Sequence, residues 1–369
     1  MTGKKIMSFL LAAFTFLPAA AQKKEILLNT SWKAKRSNEV PVDGTVISSP
    51  GYEFYGWMDA IVPGTVLTTL LHNEKVPDPF FDMNNELIPD IYDTGAEFYT
   101  FWFQHHFPLP ELGPGDQVWL KFRGINYSAN IFLNGERISK DTHKGMFLRE
   151  KYRITEEVRS GTSNNLAVLV EPPSPVGKAN GGQAGDGTIA RSVTQQYTAG
   201  WDWVCPIRDR NTGIWDEVAL EITGRVDLRH PFVKTRVPGK RVPGKTQDPA
   251  FLDISAELVN PTSSPQTGTL VAQIGGEEWT REVTIDAGQQ INIKMETIRM
   301  DQPKLWWPNG MGEPHLEQLD LRFEQNSTLS DRETVQFGIR ENDSFFDEEA
   351  GGRVFLINGQ KIFLKGGNW

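Results

Sequence analysis

The 369-residue sequence predicts a mainly β protein, a jelly-roll β-sandwich followed by an immunoglobulin-like β-sandwich. Short runs of aromatic and β-branched residues recur along the chain, separated by turns built from Gly, Asn, Asp and Pro. One segment alone, residues 63–73, reads as a helix. At about 150 residues per domain the length calls for two or three units, each large enough to bury its own core.

The chain opens with Lys4 and Lys5, an apolar run over residues 6–17, and small residues over 18–21. A basic start, a short apolar core and a small-residue cleavage site describe a secretory signal peptide over residues 1–21. The run is shorter than the ~20 residues a membrane-spanning helix needs. A periplasmic or secreted protein is expected, with no membrane attachment after cleavage. No cysteine follows the apolar run to take a lipid, and the single Cys205 excludes an intramolecular disulfide.

Residues 98–103 (FYTFWF), 117–122 (QVWLKF), 129–133 (ANIFL) and 165–170 (NLAVLV) read as strands of the jelly roll. Asn134 and Gly135 tolerate positive φ and mark a hairpin turn. A second set follows at 252–259, 269–274, 290–295, 316–323 and 334–339, the alternation of an immunoglobulin-like sandwich of about 100 residues. The acidic stretch 341–349 reads as a linker, and 354–364 (VFLINGQKIFL) as a hairpin leading into a further strand. No apolar surface should end bare after a strand, so a continuation past Trp369 is expected.

A net charge of -9 with no basic block argues against nucleic acid as a partner. The locally basic residues 234–245 contain Pro238, Gly239, Pro243 and Gly244 and read as a solvated loop. Six histidines lack zinc-ligand spacing, and His105 and His106, adjacent in a strand, point to opposite faces. No nucleotide fingerprint occurs, so neither a metal nor a cofactor is expected.

The segment 195–215 (QQYTAGWDWVCPIRDRNTGIW) joins indole rings to carboxylates and guanidinium groups. Pyranose CH faces pack on aromatic rings while charged groups hydrogen-bond the hydroxyls, so Trp201, Asp202 and Trp203 are candidate sugar-binding residues. A core role for the two tryptophans stays open, as does a structural pairing of Asp202 with Arg208 or Arg210. Residues 76–85 (VPDPFFDMNN) read either as a rim of the same pocket or as packing. Trp306 and Trp307 divide the same way between a ligand and a loop packed at a domain interface. Retaining glycoside hydrolysis needs two carboxyl groups about 5–5.5 Å apart, and composition singles out no such pair.

Taken in order, VPGT at 62–65, DPFFDMNN at 78–85, GWDW at 200–203 with GIW at 213–215, LWWPNG at 305–310, and FLING at 355–359 with LKGGNW at 364–369 make the chain resemble glycoside hydrolase family 2. The likeness is to its β-mannosidase and exo-β-D-glucosaminidase branches and spans about residues 25–369. It implies a sugar-binding-like (galactose-binding-like) jelly roll over 22–224, an immunoglobulin-like domain over 225–340, and a linker with the start of a catalytic (β/α)8 barrel over 341–369. Residues 363–369 would be the barrel's first strand. The family's two catalytic glutamates would lie on later strands beyond Trp369, leaving no catalytic residue here. Asp202 matches the loop carboxylate that contacts the −1 sugar, and Asn368 and Trp369 match a first-strand end facing the site.

The resemblance thus implies the front portion of a secreted retaining glycosidase acting on β-mannoside or β-glucosaminide oligosaccharides. The spacing over 208–213 is similar to that of the glucosaminidase branch, and a cationic amino sugar suits an acidic protein. The competing reading is a stand-alone, non-catalytic carbohydrate-binding protein.

Overall fold

The computed structural model describes residues 24–176, 192–195 and 207–367. The chain divides into two compact units, Lys23–Arg225 and Val226–Trp369. Both are antiparallel β-sandwiches.

In the first unit one sheet orders the strands Lys24–Leu27, Val218–Thr223, Gln117–Phe122 and Glu150–Arg153. The larger sheet runs from Met58–Ala60 through Trp32–Arg36, Phe101–Pro108, Ser163–Glu171 and Ser128–Leu133 to Glu136–Arg137. Its central strand is buried on both faces, so it reads as a continuous aromatic run. Phe101, Phe103 and Phe107 enter the main core beside Val118, Leu120 and Phe122. Trp102 faces the other way, into a smaller cluster with Val40 and Ile47 that the segment holding Tyr52, Phe54 and Trp57 covers.

That strand starts three residues later than the aromatic run suggests. Residues Ala96–Tyr99 form a 3-10 turn instead, entered through Gly95 at φ 84°. Two tertiary contacts hold it there: the Arg36 guanidinium lies 4.1 Å from the Phe98 ring centroid, and the Tyr99 hydroxyl donates to Pro89 O at 2.6 Å. His105 and His106 do separate, His105 buried and His106 exposed.

The helix expected over residues 63–73 is Val66–His72. It is capped reciprocally by the side chains and backbones of Thr65 and Thr68. Three further one-turn helices, Gly44–Ile47, Asn84–Leu87 and Ile91–Thr94, lie in stretches too short for a helical period to show.

In the second unit one sheet orders Asp227–Arg236, Ala250–Val259 and Gln290–Lys294, with Ile298–Met300 also on Ala250–Val259. The other orders Glu277–Ile285, Gln266–Ile274, Glu317–Gln325 and Thr328–Phe337. Leu252, Ile254, Leu270, Leu319, Leu321 and Phe323 fill the space between them. Trp307 is buried in this unit's own core, and Trp306 lies beneath the Arg340 guanidinium at 4.3 Å.

Two local expectations change here. The stretch 341–349 is no plain linker, because Asn342–Asp347 pairs with Gly352–Ile357, which pairs in turn with Gln360–Ile362. The cross-strand pair Phe345 with Val354 outweighs the acidic composition. The basic stretch is not wholly solvated either: Arg241 is buried and donates to Pro238 O, Asp248 O and Pro249 O, fastening its own loop. Residues 363–367 carry no regular structure.

Candidate functional site

Trp201, Asp202 and Trp203, and likewise Asn368 and Trp369, lie outside the described residues, as do Cys205 and the segment 1–21. The described part of the candidate region is therefore the stretch that follows Asp202 in sequence. The described stretch nearest to Asp202 on the C-terminal side is residues 207–215, and several elements of the sandwich pack against it.

The scaffold starts at the Val66–His72 helix. Its first turn leaves backbone N–H groups without intrahelical partners. Val66 N donates to Thr212 O at 2.7 Å, Leu67 N to Asp209 Oδ2 at 2.7 Å, and just upstream Gly64 N to Ile214 O at 2.8 Å. This brings the 209–214 backbone against 64–67 so closely that a Cβ at Gly213 would stand 2.6 Å from Gly64 O. From the other side Asn126 and Gly213 exchange two backbone hydrogen bonds, both 2.8 Å. The fully buried Asn126 amide also donates to Arg210 O and Asn211 O at 2.8 and 2.9 Å. Held this way, Arg210 and Asn211 both adopt left-handed backbone, at φ 53° and 59°.

That conformation turns the Arg210 side chain fully inward, where a buried guanidinium requires a partner. Asp90 supplies it through a bidentate pair, Nη2 to Oδ1 at 2.8 Å and Nη1 to Oδ2 at 2.9 Å. Asp90 also accepts from Tyr92 N at 2.9 Å, capping the Ile91–Thr94 turn. Arg210 does more than neutralise a carboxylate. Its Nη1 donates to Ile207 O at 2.8 Å and its Nε to Val176 O at 3.1 Å.

Arg208 runs alongside. It reaches Asp90 Oδ2 at 3.3 Å and donates from Nε to Asn85 O at 2.8 Å, and its carbonyl accepts from Ile91 N. The 76–90 loop is thereby fastened to the same junction. Phe80, Phe81, Met83 and Leu87 of that loop stand exposed. Trp215 closes the neighbouring corner, its Nε1 donating to Met146 O at 2.9 Å and its ring meeting Phe147 edge to face. Gln195 N donates to Met146 Sδ at 3.3 Å.

Electrostatics follow from the burial. Asp209 is fully enclosed, and desolvation pushes its carboxyl above the usual range against hydrogen bonds from Leu67 N, the Thr65 side chain and Asn211 N. Burial, with the nearby Asp209 and Asp90, raises the Tyr99 phenol as well. Among the described residues no group of three His, Cys, Asp or Glu gathers to hold a metal.

Arg210 and Arg208 pair with Asp90, 120 and 118 residues away, a carboxylate the sequence did not single out, while the pairing left open for Asp202 lies outside the described residues. The readable signal at Asp90 was a helix cap after Pro89, and no local pattern reports so distant a partner. Both phenylalanines of residues 76–85 stand exposed, so the packing reading does not hold for them.

The family described as "Glycosyl hydrolase 2 galactose-binding domain-like" matches residues 32–216, half of the chain, and "Glycosyl hydrolases family 2" matches residues 240–340. A mannosylglycoprotein endo-beta-mannosidase of Lilium longiflorum is 39% identical over 361 residues, 93% of this chain and 37% of that protein. An exo-beta-D-glucosaminidase of Streptomyces avermitilis is 29% identical over 92% of this chain and 35% of its own length. The solved exo-chitosanase of Amycolatopsis orientalis shares the fold at a TM-score of 0.75 and 24% identity, over 94% of this chain and 37% of that one. The chain therefore spans little more than a third of the length of these relatives. Its two sandwiches, each matched by a description of the same family, make the chain a member of glycoside hydrolase family 2.

Proposed function

We propose that the chain is the front portion of a secreted retaining glycosidase that cleaves terminal β-glycosidic bonds of the β-D-glucosaminide or β-mannoside type. The observation that carries the reading is the end-to-end match of both sandwiches to glycosidases of this family, over 92–93% of the chain but only 35–37% of the relatives. In this reading residues 1–21 are the export signal, 22–224 the sugar-binding-like domain, 225–340 the immunoglobulin-like domain and 341–369 the approach to a barrel. The catalytic carboxylates belong to that barrel.

This chain contributes substrate contacts. Trp201 and Trp203 offer ring faces to a pyranose, and Asp202 accepts hydrogen bonds from its hydroxyls in the −1 subsite. Asn368 and Trp369 face the same sugar. The glucosaminide choice is supported by the likeness to an exo-chitosanase whose structure with PNP-beta-D-glucosamine matches at 25% identity and a TM-score of 0.76. A mannoside is supported by the 39% identity to the lily enzyme.

The deciding assay takes the full-length enzyme with p-nitrophenyl β-D-glucosaminide and β-mannoside. Cleavage of one assigns the sugar, and cleavage of neither sinks the reading. Asp202→Ala should lower kcat/KM on the cleaved substrate by more than about tenfold, ~1.4 kcal/mol of transition-state stabilisation. An unchanged value in a folded variant removes Asp202 from the site.

A further inference from the structure

We propose that the second unit carries a binding site of its own, for a sugar bearing an acidic substituent, in a groove between the strands Asp227–Arg236 and Thr328–Phe337. The site is separate from the glycoside-cleaving reading and does not depend on it.

Each of these strands stands at the edge of its sheet. Near the start of Asp227–Arg236 that edge is closed from across the sandwich: Val226 N donates to Ser330 Oγ at 2.9 Å and Leu228 N to Asp331 Oδ2 at 2.8 Å. Pro231 then interrupts the strand, with His230 at φ 51° and a shift of register between Arg229 and Phe232. Past this break, residues 232–236 and 336–342 together with Leu316 line a groove of about 710 Å3, a size that holds a small ligand. The Thr235 hydroxyl ties its walls together by donating to Arg340 O.

Charge decides what fits. The whole chain has a net charge of -9, yet the groove gathers Lys234, Arg236 and Arg340 against a single carboxylate, Glu341. Glu341 is already engaged, accepting from Val237 N at 2.6 Å. The Arg340 guanidinium lies 4.3 Å from the Trp306 ring centroid and, among the described residues, makes no hydrogen bond or ion pair. Stacking on the indole fixes its plane and leaves its fork of N–H groups free to donate. Lys234 and Arg236 share one neighbouring acid, Asp253, which pairs with Lys234 in the strand register and lies 3.2 Å from Arg236 Nε. Asp253 also accepts from Thr297 Oγ1 at 2.7 Å. This surplus of fixed positive charge beside a pre-oriented guanidinium suits a carboxylate or a sulfate. Phe232, exposed on the same wall, supplies a ring for a pyranose CH face. An acidic peptide would bind instead by adding a strand, which needs an unbroken row of backbone donors and acceptors. The bulge and Pro231 break that row.

The test is calorimetric titration of the full-length enzyme with trigalacturonate and, separately, with a sulfated galactotriose, using neutral galactotriose as the control. At least one acidic sugar should bind where galactotriose does not, and the one that binds identifies the acid. Arg340→Gln should weaken that binding at least about tenfold, the loss of a charge-assisted hydrogen bond. Lys234→Ala, at an exposed side chain, should weaken it about threefold with the melting temperature and glycosidase activity unchanged. If Arg340→Gln does not fold, Lys234→Ala carries the test. No binding of either acidic sugar, equal binding of galactotriose, or affinities that neither variant alters overturn the proposal. Tighter binding of hexaglutamate would assign the groove to a peptide, and inorganic sulfate binding as tightly as the sugars would reduce it to an ion site. Either result overturns the assignment to a sugar, and none of these outcomes turns on which glycoside the enzyme cleaves.

Discussion

His105 shows how one residue's chemistry follows from its place in a strand. It sits on the inward face between Trp32 and Phe107, stacked on the indole at 4.9 Å between ring centroids. Burial pushes its pKa down to about 4, opposed by a hydrogen bond with the Ser31 backbone and helped slightly by the neighbouring His106. The folded value lies below the unfolded one near 6.5, so between the two the unfolded chain binds more protons. Stability from this site is full above about pH 6.5 and is lost as the pH falls toward 4, on the order of 3 kcal/mol in all. His105→Phe keeps the stack and removes the titration. Urea midpoints between pH 4.5 and 7 should slope less steeply in the variant, and parallel slopes would refute the assignment.

The same scale shows the limits of reading a sequence. The opposite facing of His105 and His106 follows from the two-residue period of a strand and was legible. The pairing of Arg210 with Asp90 was not, because no propensity or spacing connects residues 120 positions apart. Asp202 presents the converse: its flanking tryptophans are conspicuous in the sequence and lie outside the described residues.

At the scale of elements, two-residue turns with both φ positive set the registers. Asn134–Gly135, Gly275–Gly276, Asn326–Ser327 and Asn358–Gly359 all have this form. Asn-Gly is an overt signal, and the strands around it were legible. Gly275–Gly276 and Asn326–Ser327 are weaker signals, and the strand Glu277–Ile285 and the first six residues of Thr328–Phe337 are not legible from the sequence. The hairpin at Asn358 does a second job. Its side chain is fully buried, donating to Trp306 O at 3.0 Å and accepting from Glu341 N at 2.8 Å, while Arg241 N donates to its carbonyl. The three-stranded sheet at the end of the chain is pinned to its sandwich by this turn. Asn358→Ala strands a buried donor and a buried acceptor and should cost about 2 kcal/mol or more. Asn358→Gly keeps the left-handed backbone at ease but loses the same side-chain bonds. If the glycine variant melts like the native protein, the bonds to Trp306 and Glu341 carry no stability and the pinning is wrong.

For the molecule as a whole, fold class was the most legible property. Each sandwich has its own set of core residues, which alternate along strands within a few residues of one another. Function was legible only through the order of short motifs, since catalysis in this family depends on carboxylates that composition cannot choose. Retention requires an acid and a nucleophile about 5–5.5 Å apart across the scissile bond. The buried carboxylates at the candidate site are committed elsewhere: Asp90 to Arg208 and Arg210, Asp209 to the backbone of Leu67 and Asn211. The 369 residues alone should therefore show no turnover of p-nitrophenyl β-D-glucosaminide or β-mannoside, even at high protein concentration and long incubation. Measured release of p-nitrophenol that survives Asp202→Ala and tracks the folded protein would place a competent carboxylate pair within these two sandwiches, and the division of labour proposed here, substrate contacts from the sandwiches and bond cleavage from a barrel, would have to be abandoned.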